Sequence, residues 1–108
     1  MNKQQIKEHK VAFNIPEKAK LKGICIVDES GQKVLSSIEG DRKSLESFIF
    51  KEEPKTALLF KDIPFAAKWV EIANRPWMIA AIYEFKKPGV KDSLIYVAGI
   101  TKYKGATA

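Results

Sequence analysis

Two apolar runs that meet at one turn decide the fold: residues 77–103 read WMIAAIYEF, then KKPGVKD, then SLIYVAGITKY. The first run, 77–85, is almost continuously apolar, which is typical of a central strand covered on both faces. Pro88 and Gly89 favour a reversal of the chain. Residues 94–103 are therefore predicted to return as the antiparallel partner of the first run, giving a long β-hairpin.

A second hairpin is predicted in the first half of the chain. The β-branched stretch 21–28 ends at a cluster of turn residues, 28–32, and the apolar run 33–38 follows at once. Gly31 can adopt the positive φ that such turns need. Two shorter runs add to the strands: residues 11–15 alternate as an edge strand does, and residues 56–60 are of buried-strand type.

A short amphipathic helix is predicted over residues 41–51. Leu45, Phe48 and Ile49 recur at the i, i+3 and i+4 spacing of one helix face. Asp41 can cap the first turn, and Pro54 disfavours helix at the residue before it.

Residues 63–74 fit a strand or a helix, and the helix is favoured. Lys68, Glu71 and Arg75 form one polar stripe at helical spacing. Asp62 offers an N-terminal cap, and Asn74 supplies a stop. A helix in this register would turn four apolar side chains to the core: Phe65, Trp69, Ile72 and Ala73.

These elements predict an α+β fold, with a mostly antiparallel sheet of about five strands and one or two short helices. No repeat or linker divides the chain, so residues 1–108 are expected to form a single domain. Residues 1–9 and 105–108 offer little to bury and are predicted to be mobile ends.

The sequence contains no recognisable catalytic or metal-binding pattern. His9 and Cys25 are the only His and Cys, whereas structural zinc needs about four such ligands. Cys25 lies between two isoleucines and is expected in the core, and His9 is expected to be solvated. No nucleophile elbow, phosphate loop or dinucleotide fingerprint is present. We therefore expect a non-enzymatic protein without a cofactor.

The charge is positive and unevenly distributed. The net charge is +6, made up of +4 over residues 1–22, −2 over 23–60 and +4 over 61–108. The two positively charged terminal segments of the chain attract polyanions, although a Lys-rich composition is also typical of many bacterial or phage proteins. With no signal peptide and no apolar run near 20 residues, we expect a cytoplasmic protein without membrane attachment.

Cations alternate with aromatic residues in the C-terminal half, which is typical of sequence-tolerant binding to single-stranded nucleic acid. Only two cations are Arg, which argues against reading of base sequence. We expect five lysines to bind phosphates: Lys86, Lys87, Lys91, Lys102 and Lys104. Tyr96 or Tyr103 is expected to stack on bases. The complete set of candidate binding residues is Lys68, Trp69, Arg75, Trp77, Lys86, Lys87, Lys91, Tyr96, Lys102, Tyr103 and Lys104.

The alternative is a protein-interaction module, such as an inhibitor, an adaptor or an assembly subunit. Trp69, Arg75, Trp77 and Tyr103 are of the residue types that anchor protein interfaces, and an alternating aromatic set also occurs in an ordinary core. Burial of both Tyr96 and Tyr103 would favour this alternative. A homo-oligomer is also open, because the last strand can pair with a second copy if it lies at an edge.

Overall fold

The computed structural model describes residues 1–40 and 47–103 and has an α+β architecture, as predicted. In these residues five strands form one antiparallel sheet in the order β3-β2-β1-β4-β5, accompanied by two α-helices and a 3₁₀ helix. The elements are α1 (Lys3–Ala12), β1 (Lys20–Val27), β2 (Val34–Ile38), β3 (Phe48–Lys51), the 3₁₀ helix (Pro54–Thr56), α2 (Ile63–Ala73), β4 (Met78–Phe85) and β5 (Leu94–Lys102). None of the helices described is long and apolar enough to cross a membrane.

The predicted terminal hairpin is confirmed. β4 pairs with β5 on one side and with β1 on the other, and residues 79–83 of β4 are all buried. Alternate β4 residues point to opposite faces. Ala81 and Tyr83 belong to a core cluster that includes residues of α2, and we call this side of the sheet the helical face. Ala80 and Ile82 belong to a smaller cluster on the opposite face.

The predicted hairpin of β1 and β2 is also confirmed, with Val27 opposite Val34. Farther from the turn, residues 57–60 lie between the two strands. The Leu58 amide donates to the Leu35 carbonyl at 2.8 Å, and the Phe60 amide donates to the Ile24 carbonyl at 2.7 Å. The prediction of a strand over 56–60 was therefore wrong except for the single bridge at Phe60. Pro54 starts a 3₁₀ helix that includes Thr56, so a strand cannot begin at that residue.

The prediction of a helix at α2 is confirmed, together with both of its ends. Asp62 accepts a hydrogen bond from the Phe65 amide at 2.9 Å, and Asn74 ends the helix in the left-handed region at φ 53°. The predicted core face was wrong in its main residues. Phe65 is 43% exposed and Ile72 is 53% exposed.

Ala73 is buried as predicted, and the other buried residues of α2 are Ala66 and Val70. Because α2 is apolar on most sides, hydrophobic spacing alone does not choose between neighbouring stripes. Two alanines let the helix approach the sheet closely, and the larger side chains are left at the flank. Trp69 is half-buried at that flank, with its ring 6.4 Å from that of Phe48.

The helix predicted over 41–51 is wrong where the structure describes it. Residues 48–51 form the edge strand β3, with Phe48 opposite Ile38 and Lys51 opposite Val34. The aromatic and β-branched run at Phe48 suits a half-buried strand, and pairing with β2 decides between the two local conformations. Residues 41–46 lie outside the described residues.

The N-terminal segment is helical, so the prediction of an edge strand over 11–15 was wrong. Asn2 and Gln5 form a capping box, in which each side chain accepts a hydrogen bond from the other residue's amide, at 2.8 and 2.9 Å. Residues 3–9, predicted to be a mobile end, thus lie within α1. Residues 105–108, the other predicted mobile end, lie outside the part of the chain that is described.

His9 attaches α1 to the sheet rather than lying in solvent as expected. Its Nδ1 is 2.7 Å from the Tyr83 hydroxyl, and its Nε2 is 2.9 Å from the Gly99 carbonyl. A carbonyl can only accept, so Nε2 carries the proton and, in the neutral ring, Nδ1 accepts from the tyrosine. Both ring nitrogens are therefore used.

Candidate nucleic-acid interface

The structure divides the predicted binding residues between the two ends of the β4–β5 hairpin. The strands pair from Met78 opposite Lys102 to Phe85 opposite Leu94. These ends are separated by about 23 Å, given the rise of about 3.3 Å per strand residue. Lys86, Lys87 and Lys91 lie at one end. Arg75, Trp77, Lys102 and Tyr103 lie at the other.

The first end surrounds a single carboxylate with lysines. Glu84 lines two cavities, of about 390 and about 270 Å³. The larger cavity has Lys18, Lys20 and Lys86 in its wall, and the smaller has Lys22 and Lys55. We call this region, formed by Lys18, Lys20, Lys22, Lys55, Glu84, Phe85 and Lys86, the basic end.

Pairing of β1 with β4 creates the basic end. Lys20 lies opposite Glu84, and the register shifts between Leu21 and Gly23. Lys22 lies in this irregularity, with its Nζ 3.8 Å from Glu84 Oε1. The ion pair is exposed and therefore weak. Five lysines against one carboxylate leave the region strongly positive, which attracts anions.

Gly23 lies where the segment that contains Leu59 approaches β1 closely, beside the second cavity. A Cβ atom at this position would lie only 3.1 Å from the Leu59 Cβ. Leu59 belongs to the segment that lies between β1 and β2, and it also lines the second cavity. The glycine therefore lets this segment, and Lys55 before it, lie beside β1.

Phe85 adds an aromatic surface to these charges. It is the last residue of β4 and is half-buried. The side chain packs against the core of the helical face and also lines the larger cavity beside Lys86. An aromatic side chain among lysines is the combination on which a base can stack while its phosphates are neutralised.

The turn that follows Phe85 carries further cations. Gly89 adopts a positive φ of 81°, and the Val90 amide donates to the Lys87 carbonyl at 3.1 Å. Lys86, Lys87 and Lys91 are all exposed. The predicted lysines of this turn thus continue the positive surface of the basic end.

The opposite end of the hairpin is built differently, and we call it the aromatic end. Trp77 is only 5% exposed, with the rings of Phe48 and Phe50 packed edge-on at 5.3 and 4.9 Å. Arg75 is paired with Glu29. The hydrogen bond from Arg75 is the main cause that lowers the pKa of Glu29, and a bond from Trp77 contributes to it. Trp77 is therefore a core residue, and Arg75 has an acidic partner.

The remaining candidates near the aromatic end are spread out. Lys102 is exposed, whereas Tyr103 is half-buried and its amide donates to the Trp77 carbonyl at 2.9 Å. Lys68 is exposed on α2, and Trp69 is half-buried beside it. Lys104 lies outside the described residues.

Tyr96 lies between the two ends, on β5. It is opposite Tyr83 and half-buried against the core of the helical face. Tyr83 itself is fully buried, and burial raises the pKa of its hydroxyl. Because Tyr96 and Tyr103 are each only half-buried, both keep part of their rings accessible.

Metal or thiol chemistry has little support in the described ranges. Residues 1–40 and 47–103 contain no group of three or more His, Cys, Asp or Glu side chains placed to hold a metal ion. Cys25 lies in the core, as predicted, and burial raises the pKa of its thiol to about 12. The thiol is therefore neutral and shielded near pH 7.

Sequence analysis missed four of the five lysines of the basic end and identified only Lys86. Lys18, Lys20 and Lys22 recur at every second position, which is the spacing of side chains on one strand face. That signal was available. Their position beside Lys86 depends on the register between β1 and β4, which no local pattern provides.

Comparison of the chain with protein-family models, with curated protein sequences and with solved structures finds no significant match. No function is therefore carried over from a relative. Only the residues of this chain bear on what it binds.

Proposed function

We propose that the protein is a non-enzymatic domain that binds nucleic acid, with a preference for single strands and with low sequence specificity. The basic end is the proposed site. The observation that supports it most is that five lysines and the half-buried Phe85 line two cavities in which Glu84 is the only carboxylate.

The phosphate backbone is the part of the ligand that these lysines suit. A lysine acts as a compact positive charge, whereas reading of a base edge favours the planar fork of arginine. Of the 19 cations, 17 are Lys, and Arg75 is already paired with Glu29. Binding should therefore depend on charge and vary little with base sequence.

Preference for single strands follows from Phe85. A base can stack on an aromatic side chain only when it leaves its own stack, as in single strands or loops. The larger cavity, at about 390 Å³, has the volume of a small-ligand site. One unstacked nucleotide with its phosphate would fill such a site.

The test is fluorescence anisotropy with labelled single-stranded DNA, duplex DNA and RNA of matched length, titrated over a series of salt concentrations. Five phosphate contacts to a single strand predict a slope of about −3.5 in log affinity against log salt, or a loss of about 100-fold between 50 and 200 mM. Single strands should bind more tightly than the duplex. An absence of binding at low salt would refute the proposal.

A protein-interaction module is the second candidate, and the exposed flank of α2 favours it. Phe65, Trp69 and Ile72 recur along this flank, and the first and last are about half exposed. In this case nucleic acid would bind weakly or not at all. Substitution of Ile72 by Ser would abolish capture of a specific protein partner, whereas substitution of lysines at the basic end would leave that capture unchanged.

A further inference from the structure

We propose that two copies of the chain pair edge to edge through β5, antiparallel about Val97. In this dimer each basic end is completed by Lys102 and Tyr103 of the second copy. The composite binding surface rests on the proposed nucleic-acid function, whereas the dimer itself does not.

The free edge of β5 is unusually suited to pairing. β5 is the last strand of the sheet, and within the described residues its only strand partner is β4. Residues 94–101 contain no charged side chain and no proline. Natural proteins protect exposed edges with such residues, so an uncharged run of this length is a template for another strand. The one irregularity is the bulge at Ile100, and the neighbouring Gly99 carbonyl is hydrogen-bonded to His9.

A second copy of β5 complements this edge in the size of its side chains. Pairing about Val97 places Tyr96 opposite Ala98 and Ile95 opposite Gly99. Ile100 is passed over by the bulge, as it is against β4, so Leu94 lies opposite Thr101. Directly opposed residues point to the same face of the sheet, and each of these pairs joins a larger side chain to a smaller one.

Charge at the strand ends selects the same register. Pairing about Val97 places Lys102 opposite Ser93 and next to Asp92 of the second copy. Moving the centre to Tyr96 would place Lys102 opposite Lys91, and like charges directly opposite are destabilising. Moving it to Ala98 would place Lys102 opposite the apolar Ile95. Only the central register brings the lysine to a carboxylate.

The dimer brings together what a single chain separates. Within one copy, Lys102 and Tyr103 lie at the far end of the hairpin from Lys86, Lys87 and Lys91. In the antiparallel dimer, Lys102 and Tyr103 of the second copy lie beside residues 92–93, next to this turn. Two equivalent positive surfaces result, each with an added aromatic ring and an added cation.

The dimer is tested by sedimentation over a wide range of protein concentrations, with two double variants at the exposed ends of the edge. The wild-type chain should reach about twice its mass of 12.2 kDa. Leu94→Lys/Thr101→Lys places like charges opposite one another twice in the dimer and should weaken dimerisation by at least about tenfold. Leu94→Glu/Thr101→Lys places opposite charges at the same positions and should keep the dimer. Circular dichroism melting checks that both variants fold.

The composite surface is tested with the same variants by DNA anisotropy. Leu94→Lys/Thr101→Lys adds positive charge, so a site within one copy predicts tighter binding of single-stranded DNA. The composite site predicts weaker binding and a shallower salt slope, because the second copy is lost. A wild-type chain that stays monomeric, or two variants that sediment alike, would overturn the inference. If the wild-type chain is a monomer that binds DNA, the dimer and its composite surface are refuted, but the proposed function is not. If it is a dimer that binds no DNA, the proposed function and the composite surface are refuted, but the dimer is not.

Discussion

The basic and aromatic ends of the β4–β5 hairpin contain similar types of residue in different arrangements. Both contain aromatic residues next to cations. At the aromatic end, Trp77 is enclosed by two phenylalanine rings, and Arg75 is paired with Glu29. At the basic end, Phe85 is half-buried, and five lysines line two cavities in which Glu84 is the only carboxylate.

The difference shows that an aromatic residue beside a cation has two separate uses. Enclosed rings and a paired arginine contribute to stability, because burial of apolar area and a satisfied charge both favour the folded chain. A partly accessible ring and unmatched lysines contribute little to stability and remain able to bind an anion. We therefore expect substitutions of Trp77 and Arg75 to change stability and those at the basic end to change binding.

Trp77→Ala should have the largest effect. Removal of a buried tryptophan costs about 3–5 kcal/mol, because the apolar contacts are lost and a cavity remains. The free energy of unfolding is measured by urea titration. Trp69→Ala, at a half-buried position, is the control and should cost clearly less. A loss below about 1 kcal/mol for Trp77→Ala would contradict the assignment of Trp77 to the core.

Phe85→Leu should weaken binding of single-stranded DNA at least about fivefold, the lower end of the value of one stacked base. Leucine keeps the apolar packing on the core but has no ring for a base. Stability should change little, which urea titration checks. Equal affinities of the wild-type and variant chains would show that Phe85 makes no stacking contact.

Tyr83→Phe should cost about 1 kcal/mol of stability and leave DNA affinity unchanged. The substitution removes the hydrogen bond between the tyrosine hydroxyl and His9, a contribution of about 0.5–1.5 kcal/mol. The ring is fully buried and so cannot stack on a base. Denaturation and anisotropy measure the two quantities, and a large loss of affinity would place the binding surface under α1 instead.

Glu29→Gln should have the smallest effect, confined to acid pH. Because Arg75 lowers the pKa of Glu29 below 4.5, the carboxylate stabilises the folded chain above that pH, and this contribution is lost as pH falls through the lowered pKa. The wild-type chain should therefore lose more stability than the variant between about pH 6 and pH 3. The difference should stay well under 1 kcal/mol, since the pair is exposed, and should shrink with salt. Identical pH profiles would contradict the role of this ion pair.

Much of the sheet could be predicted from the sequence because its strands are marked locally. Residues 77–103 combine two apolar runs with a Pro-Gly turn, and Asp62 and Asn74 mark the ends of α2. The failures lie where local patterns fit two structures. The spacing of Leu45, Phe48 and Ile49 fits a helix, whereas Phe48–Lys51 pairs as a strand with β2.

The candidate site was harder to predict than the fold. The lysines of the 86–92 turn were identified from the sequence, because they adjoin an aromatic residue in one segment. Lys20 and Lys55, from other elements, line the cavities that Glu84 also lines, and their position depends on strand register and on the path of residues 57–60. Burial of Trp77 likewise depends on β3, which sequence patterns did not reveal.

The salt dependence of single-stranded DNA binding by two charge-matched variants tests the central claim most directly. Lys20→Gln/Lys86→Gln changes the basic end, and Lys51→Gln/Lys61→Gln removes the same charge from exposed positions that line neither of its cavities. The basic-end variant should lower the magnitude of the salt slope by about 1.4, or about 0.7 for each lost phosphate contact, while the control keeps the wild-type slope. Equal slopes for the two variants would show that binding depends on net charge alone and would contradict the account.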